Sequence, residues 1–214
     1  MKDNNETDNE QVAQRRAKLN TLRESGNPFP NDFRRDSEAA VLVENFGNQE
    51  NEALEADPKE MRIAGRLMTR RVMGKAAFAH VRDESGDLQI YAQRDALPEG
   101  IKHDVFKQLD IGDLVGVSGV LFKTRTGELT VNVREFRLLV KSLHPLPEKY
   151  HGLTDIETRY RRRYVDLLVN QESREVFRKR AATITALRRC LDRRGYLEIE
   201  SPITQAIPGG AEAR

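Results

Sequence analysis

Between residues 76 and 93 the chain alternates between two kinds of side chain, and this period of two constrains the fold around it. In Ala76-Ala-Phe-Ala-His-Val-Arg-Asp83, Ala77, Ala79 and Val81 fall on one face, and Phe78, His80 and Arg82 on the other. In Asp87-Leu-Gln-Ile-Tyr-Ala-Gln93, Leu88, Ile90 and Ala92 take the apolar face, opposite Gln89, Tyr91 and Gln93. The intervening Glu84-Ser-Gly-Asp87 has turn chemistry, with Gly86 free to adopt positive φ. A hairpin with its apolar faces in a core would present aromatic rings, an imidazole, an arginine and a carboxamide on its other side. That surface suits the stacking and reading of unpaired bases. It also suits an ordinary half-buried hairpin.

The alternation extends to both sides. Residues 61–73 read as a long strand, interrupted by Gly65 and ending in the polar Thr69-Arg-Arg71. A helical interlude at about residues 101–109 follows the break Leu97-Pro-Glu-Gly100. Residues 113–123 form a fourth strand with Gly116 and Gly119, as a sharply curved barrel strand would. Thr124-Arg-Thr-Gly127 turns the chain into a fifth strand, residues 128–140. There Leu129, Val131 and Val133 face one way, and Glu128, Thr130 and Asn132 the other. Five strands with a helix between the third and fourth predict an OB-fold, a small barrel that binds oligonucleotides on its strand 2–3 face. The fold class is a β-dominated α+β chain: an N-terminal helical extension (residues 1–58), the barrel (59–142), a proline-bearing linker (143–158) and a second region (159–214).

Charge follows these divisions. Residues 1–58 carry seven basic and 13 acidic side chains, residues 59–142 carry 15 and 11, and residues 159–214 carry 13 and seven. Two basic blocks could meet a polyanion, although solvated lysines and arginines produce the same excess. Residues 1–10 read as disordered. Val12, Leu19 and Leu22 recur at heptad-like spacing and predict a thin basic amphipathic helix over residues 8–25, to lie against RNA or pack on its neighbour. One or two short helices are expected within residues 31–58. The run Arg159-Tyr-Arg-Arg-Arg-Tyr164 reads as a solvated helix face, with interaction with RNA or a partner as the minority reading. Phe177, Ile184 and Leu191 at sevens, filled in by Val176, Ala181 and Leu187, predict a strong helix over residues 173–194 stopped by Gly195. Tyr196-Leu-Glu-Ile-Glu200 then alternates as a strand. No apolar run reaches the roughly 20 residues of a membrane span, and the start lacks the apolar core of a secretory signal. The single cysteine, Cys190, and four histidines without metal-ligand spacing imply a cytoplasmic protein with no metal site.

Six segments, taken in order, carry a resemblance. They are Gly65-Arg-Leu-Met-Thr-Arg-Arg-Val-Met-Gly-Lys75, Leu121-Phe-Lys-Thr-Arg-Thr-Gly-Glu-Leu129, His151-Gly-Leu153, Arg159-Tyr-Arg-Arg-Arg-Tyr-Val-Asp-Leu167, Gly195-Tyr-Leu-Glu-Ile-Glu-Ser-Pro202 and Ile207-Pro-Gly-Gly-Ala211. Together they resemble the N-terminal part of the bacterial class II lysyl-tRNA synthetases. The aspartyl and asparaginyl enzymes share the architecture and fit these segments less well.

The resemblance implies an anticodon-binding barrel followed by the first helix and strand of a class II catalytic domain. Phe78 would stack on the central anticodon uridine, Gln89 would hydrogen-bond the same base, and Arg71 and Glu128 would complete the anticodon site. Gly209 and Gly210 match the loop that approaches the substrate lysine. The helix and strand match motif 1, whose Phe177, Ile184, Leu187, Leu191 and Pro202 would lie in a homodimer interface. Motifs 2 and 3, with the residues that bind ATP and Mg2+, are absent from these 214 residues. The expectation is therefore a fragment that binds the lysine tRNA anticodon stem-loop. Without catalytic residues of its own, it would leave the use of ATP and L-lysine to the intact parent. The alternative is a free-standing OB-fold RNA-binding protein without catalysis.

Overall fold

The computed structural model describes residues 3–24, 26–74, 76–93, 109–147 and 153–202. The chain divides into two compact units, residues 1–146 and 147–214.

The first unit is built on a closed barrel of β1 (Glu60–Met73), β2 (Ala76–Arg82), β3 (Asp87–Gln93), β4 (Leu114–Lys123) and β5 (Leu129–Val140), in spatial order β1-β2-β3-β5-β4. All ladders are antiparallel except β3 against β5, a short parallel pairing from Gln89↔Thr130 to Tyr91↔Asn132. The alternation read from the sequence is the inside–outside alternation of the barrel. Ala77, Ala79 and Val81 pair with Ala92, Ile90 and Leu88 across the hairpin, and all six are buried. Leu67, Val115, Val117, Leu121, Val131 and Val133 share the interior with them, as do Met61, Ile63, Leu129 and Phe136.

Closing so small a barrel bends β1, where Met68 is the extra residue between Leu67 and Thr69, and β5, where Arg134 and Leu139 are extra residues opposite β4. A Cβ at Gly119 would lie 2.1 Å from the Asn132 carbonyl oxygen, and one at Gly65 would lie 2.5 Å from that of Arg82. Glycine permits this approach of backbone to backbone.

Among the described residues three helices join the barrel. α1 (Asp3–Glu24) begins well before the expected residue 8, so residues 3–10 are helical where disorder was expected. Propagation from an anchored segment adds one hydrogen bond per residue fixed, which carries a helix into polar sequence. The anchor is unusual. Leu19 is buried, and so is Arg15, whose guanidinium donates to the carbonyls of Ile111, Ser142 and His144 at 3.2, 3.3 and 3.2 Å. Lys18 reaches both Asp110 carboxylate oxygens, at 2.8 and 3.0 Å. Behind them the buried Lys141 bridges Asp110 and Asp113. Burial would raise the Asp110 carboxyl, but bonds from Lys141 and Lys18 outweigh it and hold the group below the ordinary carboxylate range. The helix thus packs on the barrel, with two of its basic residues turned inward.

α2 (Ala39–Phe46) buries Ala39 and Leu42, and α3 (Asn51–Ala56) buries Leu54. The residue preceding α2, Glu38, supplies no side-chain cap. Asp83 of the β2–β3 turn does so instead: its Oδ2 accepts from Ala39 N at 2.8 Å, while its Oδ1 accepts from Ser85 N, Ser85 Oγ and Gly86 N at 2.7, 2.6 and 2.9 Å. Held this way, the turn leaves Gly86 outside the left-handed region expected for it. The helical interlude at residues 101–109 lies, apart from Leu109, outside the described residues.

The second unit contains α4 (Ile156–Arg161), α5 (Arg163–Val169) and α6 (Gln171–Asp192). They converge on Asp166, fully buried, which accepts from Arg159 Nε at 2.9 Å, Asn170 Nδ2 at 2.7 Å and Ser173 Oγ at 3.1 Å, and from Arg163. Arg163 also lies over the rings of Tyr160 and Phe177, at 4.7 and 5.3 Å. The arginine run is therefore not a uniform solvated face: Arg159 and Arg163, four residues apart, point to one buried carboxylate. α6 ends as expected near Gly195, whose φ is +81°. The strand expected at residues 196–200 is not formed: a strand exists by pairing, and among the described residues nothing pairs with this segment.

Candidate nucleic-acid interface

The register of the barrel sets its outward residues of β2 and β3 in two rows. The first runs Arg71 (β1), Phe78 (β2), Tyr91 (β3), Asn132 (β5) and Val120 (β4). The second runs Thr69, His80, Gln89, Thr130 and Phe122 across the same strands.

The first row has two aromatic rings at its centre, joined by Phe122 of the second row. Phe78 and Tyr91 sit as a cross-strand pair with ring centroids 4.8 Å apart, and Tyr91 meets Phe122 edge-on at 5.8 Å. Packed rings of this kind make a platform on which a base can stack with little further loss of side-chain freedom. Arg71, in register with Phe78, is exposed, and its side chain makes no hydrogen bond or ion pair with the described residues.

The second row is polar and closely bonded. Glu128 sits just ahead of β5, where its backbone N–H donates to Thr124 Oγ1 at 3.1 Å and its carbonyl accepts from Thr124 N at 3.0 Å. From there its carboxylate accepts from Gln89 Nε2 at 2.7 Å and lies 3.0 Å from His80 Nε2. Gln89 Oε1 accepts from the Thr130 hydroxyl at 2.8 Å, and His80 Nδ1 lies 2.8 Å from Thr69 Oγ1. Carboxamide, carboxylate and imidazole are offered together beside the aromatic platform, the combination that reads the edge of an unstacked base.

Residues 61–139 match the family of the OB-fold nucleic acid binding domain, and residues 155–214 match the class II tRNA synthetases (D, K and N). The chain is 55% identical over 206 residues to the lysine–tRNA ligase of Idiomarina loihiensis, covering 96% of this chain and 41% of that protein. It is 51% identical over all 214 residues to that of Coxiella burnetii, covering 43% of it. The chain is homologous to the N-terminal part of bacterial lysine–tRNA ligases. The lysine–tRNA ligase of Aeromonas hydrophila, 52% identical over 206 residues, is matched over 40% of its length, so the chain spans about two-fifths of these relatives.

Of the residues singled out from the sequence as the anticodon site of a lysine–tRNA ligase, Phe78, Gln89, Arg71 and Glu128 lie on one face of the barrel, with Gln89 and Glu128 directly bonded. Gly209 and Gly210 lie outside the described residues. Phe177, Leu187 and Leu191 on α6 are exposed, Ile184 is half-buried, and Pro202 is exposed in the segment after it. His80, Tyr91 and Arg82 shared the face in sequence but had no assigned role. Tyr91 belongs to the platform and His80 to the polar row, whereas Arg82 pairs with Asp87, Nη2 to Oδ2 at 2.6 Å. Thr69, Phe122 and Thr130 were missed. Parity along β5 had put Thr130 on the outer face with Glu128, which was the available signal.

Proposed function

We infer that this chain is the anticodon-reading part of a lysine–tRNA ligase, and that its barrel takes the central uridine of the lysine anticodon. The observation carrying this reading is the bonded Gln89–Glu128 pair beside the ring of Phe78 on one barrel face. In this reading Phe78 stacks on the base, Gln89 and Glu128 read its edge, and Arg71 meets phosphate or base. Ligation of L-lysine to tRNA at the expense of ATP, with Mg2+, belongs to the whole protein. Among the described residues no group of three or more His, Cys, Asp or Glu could hold a metal ion, and no catalytic step is assigned to them. The exposed apolar side chains of α6, Phe177, Leu187 and Leu191, support a homodimer interface that extends to Pro202. Gly209 and Gly210 would approach the lysine. No described helix is long and apolar enough to cross a membrane; a translation enzyme of this kind would act in the cytoplasm.

Titration of the full chain with a labelled lysine anticodon stem-loop tests the anticodon role. Stacking contributes about 1–3 kcal/mol per base, so Phe78→Ala should weaken binding about 5- to 150-fold. Equal affinity of the two proteins would remove Phe78 from the site.

A further inference from the structure

The polar row contains an unbroken string of hydrogen bonds whose directions are fixed by one member. Glu128 is a carboxylate and can only accept. Gln89 must therefore turn its NH2 group toward Glu128 Oε2 (2.7 Å), which leaves its carbonyl oxygen facing the hydroxyl of the fully buried Thr130 (2.8 Å). The same demand fixes the imidazole. Nε2, 3.0 Å from Glu128 Oε1, must carry a hydrogen, so in the neutral ring Nδ1 accepts from the Thr69 hydroxyl at 2.8 Å. That hydroxyl in turn accepts from the His80 backbone N–H at 3.1 Å. The Thr130 hydroxyl also lies 3.1 Å from the Glu128 carbonyl oxygen, so its one proton faces two acceptors, and it is the Glu128 carboxylate that fixes the Gln89 amide.

The orientation of Gln89 matters for which base is read. After these bonds its carboxamide keeps one N–H and one oxygen lone pair for a ligand. At the edge carrying atom 3 and the group on C4, uridine presents a donor and then an acceptor. Cytidine in the same place presents an acceptor and then a donor. A freely turning carboxamide satisfies either pyrimidine by flipping, whereas a locked one satisfies a single pattern and leaves polar groups unpaired against the other.

We propose that His80 is a positioning residue for base discrimination: with Thr69 behind it, it holds the Glu128 carboxylate that locks Gln89 in the orientation matching uridine. This rests on the anticodon role argued above. Thr130 closes the lock from the far side, and neither His80 nor Thr69 need touch the base.

The test uses the full chain and two stem-loops that differ only in uridine or cytidine at the central anticodon position. The wild type should prefer the uridine loop. In His80→Ala that preference should fall about fivefold or more, the coupling typical of members of one hydrogen-bond network, chiefly through tighter binding of the cytidine loop. His80→Gln, whose amide N–H can replace the imidazole donor, should recover part of the preference. Thr130→Val should lower it without touching His80. Independently of RNA, 15N spectra at mildly alkaline pH should give His80 as the Nε2–H tautomer. Exchange of core amides should confirm that each variant folds. An Nδ1–H tautomer overturns the proposal, as does a wild type that binds both loops equally, or an unchanged uridine-to-cytidine ratio in a folded His80→Ala chain. A wild type that binds neither loop overturns the anticodon reading itself, and this proposal with it.

Discussion

Replacing Asp83 with asparagine should loosen the barrel in a way that depends on pH. Its carboxylate serves two structures at once: Oδ1 gathers the β2–β3 turn and Oδ2 supplies the missing cap of α2. Asparagine keeps one acceptor oxygen and puts an NH2 group where the other stood, so either the turn or the helix end must face a donor. A net hydrogen bond to a charged group is worth about 1.5–3 kcal/mol, and a helix cap about 1. Asp83 is only half-buried, so a loss of about 2 kcal/mol is expected. Burial pushes the Asp83 carboxyl up, but bonds from Ser85, Ala39 and Gly86 outweigh it, and its folded pKa lies below the ordinary value. The unfolded chain thus takes up this proton first as pH falls. The carboxylate's contribution is complete above the unfolded pKa, about 3.9, and is lost as pH drops through the lower folded value. The difference between wild type and Asp83→Asn should therefore be steady near neutrality and narrow on acidification. The chain has no tryptophan, so native-state hydrogen exchange at the Val81 and Ile90 amides, in the hairpin below the turn, is the suitable assay. Equal protection in both proteins, or a difference that persists unchanged through the carboxylate range, would refute this account of the turn.

Two further outcomes concern the second unit. Asp166→Asn should cost about 3 kcal/mol, the lower end for breaking a buried ion pair, because Arg159 and Arg163 both reach solvent; a helical circular-dichroism melt of the full chain that is unchanged would count against a central role for this carboxylate. If α6 forms a homodimer interface, Leu187→Glu should convert a dimer to a monomer in sedimentation velocity, and a wild type already monomeric at high concentration would dispose of the interface.

The barrel was legible in the sequence because a period of two survives any error in strand boundaries. Phe78, Gln89 and Glu128 already stood on the outer face by parity, and the register then brought them together. What escaped was contact between charged groups far apart in the chain. Arg15 and Lys18 count as polar in any amphipathic reading, yet they lie on the inward stripe of α1 because their partners, Asp110 and carbonyls just before β4 and just after β5, come about a hundred residues later. The arginine run hid Arg159 and Arg163 among exposed neighbours in the same way. Residues 196–200 show the reverse error, since alternation gives a segment the capacity to pair and cannot supply a partner. His80 looked idle because its neighbours, Thr69 and Glu128, are 11 and 48 positions away.

The Arg15 bonds also impose an order of events on synthesis. The last carbonyl that Arg15 binds belongs to His144, 129 residues further along. At roughly 5–20 residues per second, α1 leaves the ribosome roughly 6–25 s before its docking site is complete. For that interval its inward stripe has no native surface to meet. An arginine and a lysine beside Leu19 keep the waiting stripe hydrated in a way that an all-apolar one would not be, so the same charges that hold the finished fold also protect the unfinished chain.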